Sequence, residues 1–151
     1  MPTSARPFQS DVSRPVERAR IFVVETDEVI RSALQFILQG EDATTAFANF
    51  DRALEAGIGS QPDVVLLGIG IVHSRGDRAV VDIAARLPGA RILLVADSAT
   101  DPLAVACLGH GAHAVLGKPI TIDAVRDKVD LLLGRLKTPA TTTELTEPAV
   151  M

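Results

Sequence analysis

The run Pro62-Asp63-Val64-Val65-Leu66-Leu67-Gly68-Ile69-Gly70 constrains this chain more than any other stretch. Val64 to Leu67 are apolar without alternation, with Gln61-Pro62 before them and glycines after. Such a strand is buried on both faces, which places it inside a parallel sheet. Open α/β sheets carry their chemistry at the carboxyl ends of these strands. The residue at that end here is Gly68, which has no side chain.

Other stretches repeat the pattern. Ile21 to Val24 is a second buried strand, with Glu25-Thr26-Asp27 at its end. Thr26 or Asp27 can cap a helix over 28–39 that stops at Gly40, with Ile30, Ala33, Leu34, Ile37 and Leu38 on one face. A weaker strand over 43–48 and a short helix over 51–56, ended by Gly57, lead to the strand 64–69. The glycines that follow predict a loop over 70–77 containing His73. Then come a helix over 77–87 closed by Pro88-Gly89, a strand over 91–96 and a helix over 101–108 ended by Gly109. A strand over 114–116 breaks at Lys118-Pro119, and a helix over 121–136 turns Ile122, Val125, Val129, Leu132, Leu133 and Leu136 inward. Five βα units predict a parallel sheet with helices on both faces, a three-layer α/β/α sandwich. The domain is expected over 20–137, between disordered tails over 1–19 and 138–151.

Composition narrows the function. The chain has 151 residues, a net charge of −4, five Phe and neither Trp nor Tyr. Without a basic stripe or stacking aromatics, nucleic acid is not an expected partner. The longest apolar run, Val64 to Val72, is far short of the roughly 20 residues of a membrane span. The lone Cys107 excludes an internal disulfide and suits a reducing compartment, so a cytoplasmic protein is expected. In an apolar helix, Cys107 reads as a core residue.

Residues 20–136 resemble the receiver domain of two-component response regulators. The pieces that carry the likeness are Ile21-Phe22-Val23-Val24-Glu25, Pro62 to Leu67, Gly76, Ala90 to Val95, and Gly109-His110-Gly111-Ala112 leading to Lys118-Pro119-Ile120. The resemblance implies a flavodoxin-like (βα)5 fold with strand order 2-1-3-4-5. It also implies a phosphoacceptor pocket, and most of its positions are changed here. Of the acidic pair that holds Mg²⁺ in active receivers, Glu25 remains and Thr26 replaces the other. The phosphoacceptor aspartate falls on Gly68, the hydroxyl residue after strand 4 on Ala96, and the aromatic switch residue on Val115. Lys118 is kept, and by analogy its bond to Pro119 is cis. Glycine offers no nucleophile, so the aligned phosphorylation path is closed. Glu25 and Asp27 are the only weak metal candidates; Glu25 and Lys118 are expected to pair instead.

Other conspicuous residues have ordinary readings. Asp97 is expected to cap a turn, because a one-residue slip points it away from Ala96. Asp63 sits at the opposite strand end and is expected to cap a turn there. His110 and His113 read as a solvated loop pair and His73 as exposed. Gly68-x-Gly70-x-x-His73 lacks the third glycine of a dinucleotide fingerprint. Val29 and Phe36 fit either a widened core face or a partner stripe, with the core reading favoured. Leu103 and Leu131 are candidates for a second docking surface.

The expected function is that of a degenerate single-domain receiver, a pseudo-receiver without enzymatic activity or cofactor. It would act through protein–protein contact in a phosphorelay pathway, with a histidine kinase, an output protein or a second copy as partner. The alternative is a small-molecule-binding module using the vacated pocket near Glu25, Gly68 and Lys118. A third reading, phosphorylation on Asp27 or Asp97, requires nucleophile and metal ligands to converge elsewhere.

Overall fold

A computed structural model describes residues 18–135. In chain order the elements are β1 (Arg20–Val24), α1 (Glu28–Leu38), β2 (Ala43–Phe47), α2 (Phe50–Ser60) and β3 (Val64–Gly68), followed by α3 (Ile69–Arg75), α4 (Arg78–Arg86), β4 (Arg91–Ala96), α5 (Pro102–Leu108), β5 (Ala114–Gly117) and α6 (Ile122–Leu133). The five strands form one parallel sheet in the order β2-β1-β3-β4-β5. This is the flavodoxin-like order expected from the sequence.

Successive strand residues point to opposite faces, so each central strand feeds two cores. Phe22, Val24, Val65, Leu67, Ile92 and Leu94 pack against α2 to α5. Ile21, Val23, Val64, Leu66, Leu93 and Val95 pack under α1 and α6. Every residue of β3 is buried, as its unbroken apolar run requires.

Several local expectations are corrected. The predicted loop after β3 is largely the helix α3, because Ile71 and Val72 drop into the core and packing overrides the glycines. Arg75 secures this helix by stacking 4.6 Å over Phe50 and pairing with Asp51 at 2.9 Å. Gly76, at φ 79°, then makes the left-handed turn into α4. Gly57 does not end α2 but lies buried within it. A Cβ there would stand 2.7 Å from Leu87 Cδ1, so glycine lets that side chain close against the helix. Ala33 and Ile122 are exposed rather than inward.

At the chain's start, Ala19 belongs to the domain, not to a tail: it is buried, and its N–H donates to Asp42 Oδ1 at 2.9 Å. The tails expected over 1–17 and 138–151, and the expected helix end with Leu136, lie outside the described residues.

Candidate functional site

Parallel pairing brings the carboxyl ends of β1, β3, β4 and β5 to one pole. Val24 pairs with Leu67, Gly68 with Val95, and Ala96 with Gly117. Glu25, Gly68, Ala96 and Lys118 therefore share one pole of the sheet, as the resemblance implied. Thr26 and Asp27 are exposed beside them.

The centre of this pole is not vacant. A Cβ built on Gly68 would collide with the Glu25 carboxylate, with Cδ at 2.7 Å and Oε2 at 2.9 Å. Glu25 is itself 7% exposed. Its Oε2 accepts the Asp27 N–H at 3.0 Å, and its backbone carbonyl accepts from Arg31 Nη1 at 2.9 Å. The Asp27 carboxylate meanwhile accepts the N–H groups of Val29 and Ile30, capping α1. The carboxylate from β1 thus stands where a side chain from β3 would stand. Arg31, which fixes the turn, carries no sequence signal that marks it for this role.

Lys118 does not pair with Glu25. Its Nζ lies 2.9 Å from Asp97 Oδ1, and this hydrogen bond is the main cause that holds its pKa above the usual lysine value. The partner is available because the loop after β4 lies directly against Gly117, where a Cβ would approach Ala99 N to 2.5 Å. Asp97 is thereby corrected from turn cap to ion-pair partner. The cap of α5 is Asp101, which accepts the Leu103 N–H at 2.9 Å. The Lys118-Pro119 bond is cis. Ala96 and Val115 are buried in the same apolar layer, without a hydroxyl in either side chain.

The donor set does not suit a divalent cation. Such an ion needs several converging oxygens. Here Gly68 offers no side chain, Glu25 holds a backbone N–H and Asp27 is committed to its helix. Among the described residues, no group of three or more His, Cys, Asp or Glu side chains is placed to hold a metal.

The sequence profile of the response regulator receiver domain matches residues 21–130. The chain belongs to that family. Receiver domains are modules of two-component signalling and work with kinases and output domains. Among solved structures, NtrX from Brucella abortus in complex with ADP superposes with a TM-score of 0.71 at 24% identity, over 82% of this chain and 28% of that one. A response regulator from Thermotoga maritima gives 0.70 at 14% identity, over 78% and 98%. The beryllofluoride-activated DrrB receiver domain gives 0.65 at 19%, over 78% and 99%. These likenesses show the fold. The chain spans under a third of the NtrX chain's length. No curated protein matches it in sequence.

The remaining candidates separate cleanly. Val29 and Phe36 are 78% and 72% exposed, which overturns the favoured core reading, and Ala33 lies exposed between them. Leu131 is also exposed, whereas Leu103 is partly buried against the core and is withdrawn as a surface candidate. Asp63 binds the start of β1 through the Arg20 N–H at 2.9 Å. His113 is a strand-edge acceptor rather than a merely solvated side chain: its Nδ1 accepts the Ile92 N–H at 3.0 Å. His110 Nε2 lies 3.3 Å from Asp77, and His73 is exposed on α3.

Cys107 is fully buried, and burial, aided by the charge of Asp77, pushes its thiol pKa up. The thiolate is the reactive form. Cys107 is therefore expected to resist iodoacetamide at pH 8 in the folded protein and to alkylate fully in denaturant, as read by intact mass.

Proposed function

We propose that this receiver domain acts by phosphorylation-independent protein–protein contact, as a degenerate member of the two-component signalling machinery. The observation that carries the reading is the Glu25 carboxylate seated over Gly68, where a phosphoacceptor side chain would have to stand. With no nucleophile at that position, no acyl phosphate can form there, and a non-enzymatic role follows. Ala96 and Val115 lack the hydroxyl and aromatic ring through which the resemblance would couple a phosphoryl group to the surface.

Output then depends on a surface that is present without a switch. The Val29–Ala33–Phe36 stripe on α1 supports this reading: it places two large apolar side chains, Val29 and Phe36, in water on one face with the exposed Ala33 between them. A signalling protein is the proposed partner, and the cytoplasm the proposed compartment. No helix among the described residues is long and apolar enough to cross a membrane.

The test is incubation with Mg²⁺ and acetyl phosphate, with intact mass and thermal unfolding measured with and without beryllofluoride. The expected result is an unchanged mass and an unchanged unfolding temperature. A stoichiometric phosphoryl adduct would overturn the proposal, and peptide mapping would identify the carboxylate that carries it. The small-molecule reading for this pole is less favoured, since Glu25 takes up the room that Gly68 leaves.

A further inference from the structure

A cavity lies at the other pole, among the amino ends of the strands. It measures about 240 Å³ and is formed where the last turns of α2 and α4 meet. Ile58, Pro62, Leu87 and Pro88 supply apolar walls, while Asp63 and Arg86 supply opposite charges. We propose that this cleft binds a small zwitterion, an α-amino acid with an apolar side chain.

The charge arrangement selects that class. Two helix carboxyl ends converge on the cleft, and their partial negative charge favours a cation. The α2 end is reinforced by a missing donor. The carbonyl of Ile58 would take its helical hydrogen bond from residue 62, and Pro62 has no N–H. Asp63 uses Oδ2 to hold the Arg20 N–H, which leaves Oδ1 for an ammonium group. The Arg20 guanidinium is already committed to the Ser60 carbonyl. Arg86, in contrast, makes no hydrogen bond or ion pair among the described residues, and its planar fork suits a carboxylate.

Backbone and size agree with this assignment. Gln61, between the apolar wall and Asp63, is held at φ 55° and ψ 73°, the only non-glycine at positive φ among the described residues. It precedes a proline, which ordinarily forces its predecessor into extended geometry. Its N–H donates to the Gly57 carbonyl at 2.7 Å, so this left-handed cap ends α2 and sets the turn that carries Pro62 and Asp63 to the cleft wall. A volume of about 240 Å³ falls below the ~300–1,000 Å³ of drug-sized sites and suits a single amino acid rather than a nucleotide. A phosphate dianion would face Asp63 and two helix carboxyl ends with one arginine in its favour.

The test is a ¹H–¹⁵N NMR titration of the full chain with L-leucine, 3-methylbutylamine and 4-methylpentanoate. The two analogues each lack one of leucine's charges. Saturable leucine shifts confined to 57–63 and 86–90, with at least tenfold weaker binding of both analogues, are expected. Arg86→Gln should weaken leucine at least tenfold while leaving the amine unchanged, and Asp63→Asn should weaken leucine at least tenfold while leaving 4-methylpentanoate unchanged. Retained dispersion in the spectra establishes that each variant folds. Absence of saturation, or equal affinity for all three ligands, would overturn the proposal. Neither result bears on phosphorylation at the opposite pole.

Discussion

Gly68→Asp is expected to destabilise the protein and to leave it unphosphorylated, although it introduces the aspartate that the resemblance implies for this position. The new Cβ would enter the space held by the Glu25 carboxylate, whose Oε2 lies 2.9 Å away even before a carboxyl group is added. Glu25 would have to leave its buried seat and release the Asp27 N–H that steadies the entrance to α1. The obstacle is the tip of a flexible side chain, so Glu25 can swing aside, and the expected cost is that of the lost Asp27 hydrogen bond, about 0.5–1.5 kcal/mol. Gly68→Ala isolates that steric part. Gly68→Asp adds repulsion between two neighbouring carboxylates, which favours protonation of one of them, and should cost about 1 kcal/mol more at neutral pH.

The repulsion makes the outcome depend on a cation. Gly68→Asp alone supplies a second carboxylate but not the third, because Asp27 remains committed to capping α1. Gly68→Asp combined with Thr26→Asp would place three carboxylates on adjoining strand ends, a set that suits Mg²⁺. Magnesium should therefore raise the unfolding temperature of the double variant by several degrees and leave Gly68→Ala unmoved. Differential scanning fluorimetry with and without Mg²⁺ reads the stabilities, and intact mass after acetyl phosphate reads the chemistry. An unchanged unfolding temperature for Gly68→Asp would show that Glu25 is not seated against Gly68. A phosphoryl adduct on the single variant would show that one missing carboxylate was the whole defect.

The sheet was legible because a strand buried on both faces must be continuously apolar, and four such runs separated by amphipathic helices admit few topologies. The lack of a side chain at Gly68 was equally legible, since it is a fact of sequence. What Gly68 left unread was the occupant of its space, because Glu25 reaches it through a side-chain rotamer and a turn fixed by Arg31. The pairing of Lys118 with Asp97 was hidden for a similar reason: it depends on a backbone approach at Gly117. The loop assigned to 70–77 failed on local propensity. Gly70 weighs against a helix, but burying Ile71 and Val72 outweighs that penalty of about 1 kcal/mol. On α1, helical spacing gathered Ala33 with the core residues and favoured the core for Phe36 too, since a period of 3.6 residues fixes relative and not absolute orientation.

Long-range charge pairing was invisible for the same reason, and its loss should be the largest single effect on stability. Asp42, 2% exposed, accepts Arg135 Nη1 at 2.8 Å and Nη2 at 3.0 Å, together with the Ala19 N–H at 2.9 Å. Arg135 also binds Asp130, at 2.7 Å from Nη2 and 3.0 Å from Nε. Gly134, at φ 73°, ends α6 in the left-handed turn that delivers Arg135 to this cluster. One buried carboxylate thereby ties the segment before β1 to the segment after α6. Asp42→Ala removes a buried acceptor shared by two chain segments and deprives the half-buried Arg135 guanidinium of its two hydrogen bonds to Asp42, at an expected cost of about 3 kcal/mol. Asp42→Asn keeps an acceptor for Ala19 and should cost about half as much. Chemical denaturation of wild type, Asp42→Ala, Arg135→Ala and the double variant closes a thermodynamic cycle, in which a coupling below about 1 kcal/mol would refute the tie. The pH dependence supplies an independent check. Desolvation pushes the Asp42 pKa up, but the hydrogen bonds from Arg135 and Ala19 and the nearby positive charges outweigh it and hold the pKa below the ordinary value. A depressed folded pKa means that the contribution is complete above the unfolded value of about 3.9 and is lost as pH falls through the folded one. Arg135 stays protonated throughout, its pKa raised by the same contacts. The stability gap between wild type and Asp42→Asn should therefore be constant from pH 5 to pH 8 and close below about pH 4.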